Sequence, residues 1–403
     1  MADNKDKKVL NVPALRFPEF TEEWIIQPIK EIADFIGGGT PSSTNETYWQ
    51  GTIPWVSSSD IVEDNIDDIT ISRYITEEAI SNSATKLCPA PVILIVSRVG
   101  VGKIALSRKA ICTSQDFCNL INIKTNPTFL AYSLSRIMKR KSIEAQGTSI
   151  KGITSLEIQK IILRIPCLKE QNRIADLLQL IDKRIATQNK IIDKLQSLIK
   201  GLNDHILENI EGDQVCFADL GEAYGGLSGK SGDDFGCGDP FITYMNVYQN
   251  TYILENDYEL VQIAPDEKQN SVQYGDALFT LSSETPEEVG MGAVYLGKSQ
   301  KLYLNSFCFG VHFHGNRVLP QYIAHFISST SFRKAIYPLA QGSTRFNLQK
   351  QDFMRMKFVL PSLEEQERIA TALDALHNHL TNEKLLTEQY LLLKQYLLQH
   401  MFI

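Results

Sequence analysis

A chain of 403 residues with 43% hydrophobic and 22% charged side chains and a net charge of −7 is long enough and apolar enough for two to three domains, each with its own core. No run of eighteen apolar residues occurs and the start, MADNKDKKVL, is charged, so the expectation is a cytoplasmic protein with neither a membrane span nor a secretory leader. Seven scattered cysteines without a C-x-x-C pair point to reduced thiols rather than a disulfide framework or a zinc ribbon.

The acidic total does not exclude nucleic acid, because the charge is unevenly arranged. Residues 1–78 sum to −9 and residues 79–165 to +10, and the swing then recurs, with −14 over 211–288 and +8 over 289–361.

The first segment, 1–165, mixes strand-like runs at 52–56 and 92–96 with a glycine-rich loop at 37–42. A helix is expected over 129–141, its last turn carrying Arg136, Lys139, Arg140 and Lys141, suited either to the negative helix end or to phosphate. Segment 166–210 reads as one long helix. It has no proline after Pro166, and Leu178, Ile185, Ile192, Ile199 and Ile206 recur every seven residues. A second row, Ile174, Ile181, Leu195 and Leu202, runs in step with Gln188 as its polar interruption, which is the a/d pattern of a coiled coil. At ~1.5 Å per residue, forty residues make a rod of roughly 60 Å. Segment 211–361 repeats the mixed character, with strands expected over 241–248 and 277–281 and a helix over 320–328. Segment 362–403 is a second long helix whose seam runs through Ile369, Leu373, Leu376, Leu380, Tyr390 and Leu397. Glu383, Thr387 and Lys394 break that seam, and Leu386 and Leu393 stand one position earlier, so the apolar face is expected to drift.

The chain is an internal duplication. At an offset of 195, PCLKEQNRIA (166–175) lies over PSLEEQERIA (361–370) with seven of ten positions identical, and AQGTS (145–149) lies over AQGST (340–344). A period this long means two whole domains, each followed by the same helix, rather than a solenoid. The expected fold is α+β: two globular α/β domains separated by a long two-helix antiparallel coiled coil with a pseudo-twofold internal repeat. The competing arrangement packs each long helix on its own domain.

Catalytic patterns fall short. Gly100-Val-Gly-Lys103 lacks the upstream glycine and the hydroxyl of a phosphate loop, and the sequences after Asp239 and Asn126 are incomplete as amino-methyltransferase tetrapeptides. Pro265 to Lys268 lacks the separated acidic residue of a nuclease site, and the seven histidines show no ligand spacing. What remains suits binding. Arg98, Lys103, Arg108 and Lys109, then Gln146, Thr148, Ser149 and Lys151, and in the second half Gln341, Ser343, Thr344, Arg345 and Asn347 combine cations with amides and hydroxyls in loops. Cations neutralise phosphates, while arginine and amide side chains distinguish base edges. A coiled-coil scaffold whose domains bind proteins is the alternative, and steep salt dependence would separate the two.

VPALRFPEF (12–20), GGTP (38–41) with Tyr48-Trp49 and Ile53-Pro-Trp55, Ser97-Arg98-Val-Gly100, and the two P-x-L-x-E-Q-x-R-I-A stretches give the chain a resemblance over nearly its whole length. It resembles the specificity subunits of type I restriction-modification systems, those of Gram-positive cocci above all. The resemblance implies two target recognition domains, each reading half of a split double-stranded DNA sequence, and helical regions that pair as a spacer and dock two modification subunits. It implies no active site, cofactor or metal in this chain. Adenine methylation with S-adenosylmethionine belongs to the modification subunits, and cleavage with ATP and Mg2+ to two restriction subunits. One departure is Gly225-Gly-Leu-Ser-Gly-Lys230, which stands where the first half has its Thr-Pro loop, so the halves are expected to read different sequences.

Overall fold

The structure, a computed structural model, describes residues 11–145, 152–255, 258–299 and 301–403. It forms two compact units, one running to Asn189 with Leu385–Ile403 added, the other Lys190–Lys384. Each unit therefore holds half of each long helix.

In the first unit an antiparallel sheet has the order Asp34–Gly37, Phe117–Ile121, Val92–Val96, Ile104–Ser107. Val92–Val96 is buried at all five positions because both faces of the sheet are covered. Ile93 and Ile95 point into a core shared with Phe129, Leu134 and Met138 of the helix Pro127–Ala145. Val92, Leu94 and Val96 pack against Val56, Ile61 and Ile111 on the side of a second sheet. That sheet, ordered Arg73–Ile75, Ile53–Val56, Ile111–Thr113, Leu87–Cys88, contains one parallel pair, Ile53–Val56 with Ile111–Thr113. The GGTP loop folds between the two sheets. A Cβ at Gly39 would fall 2.4 Å from the backbone of Ala84, and the Gly39 carbonyl accepts from Trp55 Nε1 at 2.9 Å and Thr85 Oγ1 at 2.6 Å.

The second unit repeats this topology. Its main sheet runs Gly221–Gly225, Cys308–Phe313, Ala277–Thr280, Gly292–Tyr295, with Tyr252–Ile253 added at the edge. Its second sheet, Glu259–Val261, Phe235–Ile242, Tyr303–Leu304, keeps the parallel pair. The expected strand over 241–248 ends at Ile242. Thr243 caps the helix Tyr244–Gln249, its hydroxyl accepting from the Asn246 N–H at 3.1 Å while the Asn246 side chain accepts from the Thr243 N–H at 2.9 Å. This reciprocal cap overrides the β-propensity of the tyrosines around it.

After the sheets the two units coincide at the 195 offset. Helix Ser155–Gln159 answers to Lys350–Met354, and strand Ile162–Ile165 to Lys357–Leu360. These strands pair antiparallel with Ile25–Pro28 and Asp213–Cys216 respectively, and then lead into the long helices Leu168–Glu208 and Leu363–His400.

The long helices pack on each other in an antiparallel sense. In the first unit Ile174, Leu178 and Ile181, with half-buried Ile185, share a core with Leu397 and Met401. In the second, Leu195, Ile199 and half-buried Ile192 cluster with Leu380 and Leu376, while Leu202 packs on the core that holds Ile369 and Leu373. Each end also enters a domain core, so pairing and domain packing coexist. The seam of the second helix does not drift. Thr387 and Lys394 are buried while Leu386 and Leu393 are 37% and 43% exposed, and Tyr390 is half-buried between them, so polar side chains hold the a/d register. Gln188 is likewise buried in the first helix.

Candidate nucleic-acid interface

The duplicated helix-start motif fixes the loops to the long helices. In the first unit Gln171 donates through Nε2 to the Pro166 carbonyl at 2.9 Å, and its Oε1 accepts from the Asn126 N–H at 2.9 Å, just before the helix Pro127–Ala145. Gln366 repeats this, donating to the carbonyls of Pro361 and Arg317 at 2.9 Å each and accepting from the Leu319 N–H at 2.8 Å, just before Pro320–Ile327. Both glutamines are buried, so each locks two chain segments with hydrogen bonds that water cannot replace.

In the second unit the residues singled out from sequence share one exposed hairpin. Ala340–Gln341 pairs with Phe346–Leu348, which pairs in turn with Ser282–Ser283. Gln341, Ser343, Thr344, Arg345 and Asn347 are all exposed, and Gly342, at φ 141°, makes the turn. Asn347 stands opposite both Gln341 and Ser282. Arg345 lines a cleft of about 380 Å³ with Tyr244, Tyr248, Ser282 and Phe307. Tyr244 donates to the Ser282 carbonyl at 2.8 Å and stacks on Tyr248, with ring centroids 6.1 Å apart. Burial pushes the Tyr244 phenol up, and the hydrogen bond to Glu288 does the same to Tyr248, so both remain neutral donors.

The first unit builds the equivalent crossing with Arg98 opposite Gly152, and the Ile153 N–H donates to the Ser97 carbonyl at 2.8 Å. Arg98 is exposed, donating to the Gln115 carbonyl at 2.6 Å with Asp116 3.7 Å away, and it lines a cleft of about 520 Å³ with Gly37, Gln115, Thr154 and Gln159. Gln146, Thr148, Ser149 and Lys151 lie outside the described residues.

Among the described residues, the other cations singled out in the first unit do not join Arg98. Val92 pairs with Ser107 and Ile95 with Ile104, so Arg108 and Lys109 sit at the opposite end of that strand pair. Arg108 reaches Asp67 at 3.4 Å and Thr128 at 3.3 Å, and Lys109 is exposed. Lys103 is half-buried and donates to the Ile61 carbonyl at 3.1 Å. Arg136 is turned inward to the carbonyls of Phe402 and Ile403, and Lys139 holds Asp64 at 2.9 Å. Sequence reasoning passed over Gln115, Thr154, Gln159, Tyr244 and Tyr248. The only signal for them was polar or aromatic residues in turns, which many plain turns share.

The family model for the type I restriction modification DNA specificity domain matches residues 21–197 and again 224–389. The chain belongs to this family and carries its domain twice. It is 30% identical over 186 residues to the Methanocaldococcus jannaschii type I restriction enzyme MjaIX specificity subunit, an alignment covering 43% of this chain and 42% of that one. The chain thus spans less than half the length of this relative. Against the EcoKI specificity subunit of Escherichia coli it is 22% identical over 389 residues, covering 88% and 82%. In fold it matches the type I restriction-modification system S subunit from M. genitalium with a TM-score of 0.58 at 14% identity, covering 97% of this chain and 99% of that one. Among the described residues no helix is long and apolar enough to cross a membrane.

Proposed function

We propose that this chain is the DNA-recognition subunit of a type I restriction-modification complex, each globular domain reading one half of a bipartite target. The readers are residues 1–165 and 211–361, and the helical spacers 166–210 and 362–403. One observation carries the reading: in the second unit the hairpin 340–348, with Gln341, Arg345 and Asn347 exposed, pairs with Ser282–Ser283 just before the duplicated helix and strand, and in the first unit exposed Arg98 stands opposite Gly152, the repeat counterpart of Asn347. In the second unit Gln341, Arg345 and Asn347 can meet base edges while Ser343 and Thr344 contact phosphate or sugar. In the first unit Arg98 is the corresponding reader, with Arg108 and Lys109 as phosphate contacts. Different side chains at equivalent positions give the two halves different sequences.

The second long helix leaves Leu385, Leu392 and Tyr396 at least half exposed away from its seam. Such apolar surface suits docking of two modification subunits, which would supply S-adenosylmethionine chemistry on adenine, with two restriction subunits supplying ATP- and Mg2+-dependent cleavage. DNA binding by the assembled complex is tested by salt titration. Affinity should fall steeply between 50 and 200 mM salt, by a factor on the order of 10³ for six or more phosphate contacts. A flat salt response would favour the scaffold reading instead.

A further inference from the structure

The backbone hydrogen bonds around Arg98 recur in the second unit and align two turns residue by residue. The Ser97 N–H donates to the Asp116 carbonyl at 2.8 Å, and the Ser97 carbonyl accepts from the Ile153 N–H at 2.8 Å. Likewise the Leu281 N–H donates to the Phe307 carbonyl at 2.8 Å, and the Leu281 carbonyl accepts from the Leu348 N–H at 2.9 Å. The turns also close alike, the Asp116 N–H donating to Ser114 Oγ at 3.3 Å and the Phe307 N–H to Asn305 Oδ1 at 2.9 Å. Phe307 is therefore the structural counterpart of Asp116, in the turn that enters the strand Cys308–Phe313 as Asp116 enters Phe117–Ile121.

The two side chains differ in kind. Asp116 is half-buried and lies 3.7 Å from the Arg98 guanidinium, so it orients a cation. Phe307 is 57% exposed, and with Met245, 48% exposed, it walls the cleft that Arg345 lines. Two large apolar side chains left in water beside the hairpin lose solvation free energy that a contact would recover. The carboxylates of Glu284 and Glu288 line the same cleft and disfavour phosphate, so a base rather than the backbone suits it. Of the groups a base pair shows in the major groove, the thymine C5-methyl is the apolar one.

We propose that Phe307 is a specificity-determining residue of the second domain and reads a thymine through its methyl group. The assignment rests on the proposed DNA-reading role of the hairpin 340–348. The major groove admits a two-stranded ribbon of this kind, and Arg345 and Asn347 take the donors and acceptors of neighbouring bases. The first domain carries Ser114, Gln115 and Asp116 in its turn, all polar, and makes no such contact.

The test uses the chain assembled with its modification subunits. Methylation mapping gives the target, and the half that changes with Asn347→Ala is assigned to the second domain. Each thymine of that half is then replaced singly by deoxyuridine, which removes the methyl and keeps every hydrogen-bonding group. The expected result is one position where deoxyuridine weakens binding about three- to fivefold, the worth of one buried methyl. With Phe307→Ala, thymine and deoxyuridine at that position should bind alike, and the response to deoxyuridine in the other half should not change. A second-domain half without thymine, equal binding of thymine and deoxyuridine throughout it by the unsubstituted chain, or a sensitivity that survives Phe307→Ala would overturn the proposal. Those results leave the hairpin reading standing. If Asn347→Ala changes neither half, that reading fails and the thymine contact falls with it.

Discussion

Both units tie a long helix to a domain through an aspartate beside the seam, yet they partner that aspartate differently. In the first unit Asp182 accepts from the Tyr132 hydroxyl at 2.6 Å and meets Lys394 of the other long helix at 2.5 Å, the two charged side chains being 7% exposed each. Lys394 also donates to the Asp64 carbonyl at 2.5 Å, so one ammonium joins both long helices and a domain loop. In the second unit Asp374 accepts from the Tyr252 hydroxyl at 2.6 Å and lies 2.7 Å from Nε2 of His325, a residue of the domain. The difference shows that a carboxylate beside a coiled-coil seam can be met by a fixed charge in one half and by a titratable side chain in the other.

The comparison breaks most visibly at Lys394. Lys394→Met should cost about 3–5 kcal/mol in urea unfolding of the first unit, because Asp182 is left buried and unpaired. Adding Asp182→Leu should restore most of the loss. If the single variant unfolds like the parent, the buried pair does not hold the helices.

Next in size is the start of each long helix. Arg16→Ala should destabilise the first unit by about 3 kcal/mol, since its partner Glu170 is fully buried. Arg368→Ala in the second unit should leave the urea midpoint unchanged, because its pair with Glu365 is solvent-exposed. Equal effects would mean that Glu170 and Glu365 do not sit in different environments.

The smallest expected effect is with pH. Burial lowers the pKa of His325 below its ordinary value of 6.5, and burial together with nearby His325 lowers that of His377. The unfolded chain then takes up protons that the folded chain does not, so stability is fully present above pH ~6.5 and is lost as pH falls below it. Between pH 7.5 and 5.5, amide exchange in 320–327 should quicken, and His325→Gln should flatten that response. Lys394 and Asp182 bond to a tyrosine, a backbone carbonyl and each other rather than to a histidine, so the helix pair around them should respond less over the same range.

The long helices were legible because a seven-residue period survives any domain context, and the duplication because two copies of a glutamine lock need the same letters. Lys394 looked like a seam defect, since its partners Asp182 and Asp64 are 212 and 330 residues away in sequence. The hydrogen bond of Lys103 was hidden in the same way, its acceptor being the carbonyl of Ile61, 42 residues off. The sheets stayed unreadable because strands of two to eight residues pair across long separations, as Ile53–Val56 does with Ile111–Thr113. The hairpin at 340–348 was visible as a cluster of loop chemistry, whereas its cleft with Tyr244 and Tyr248 required the helix that Thr243 starts.

Under the proposed function the long helices set the gap between the two half-sites, and genome-wide methylation mapping tests this most directly. One heptad inserted at the middle of each long helix keeps the seam in register and adds ~10 Å of rise. The expected result is a methylated bipartite sequence whose two halves are unchanged and whose unread gap grows by about three base pairs at ~3.4 Å each. A gap of the original length, or a target that is not bipartite, would contradict it.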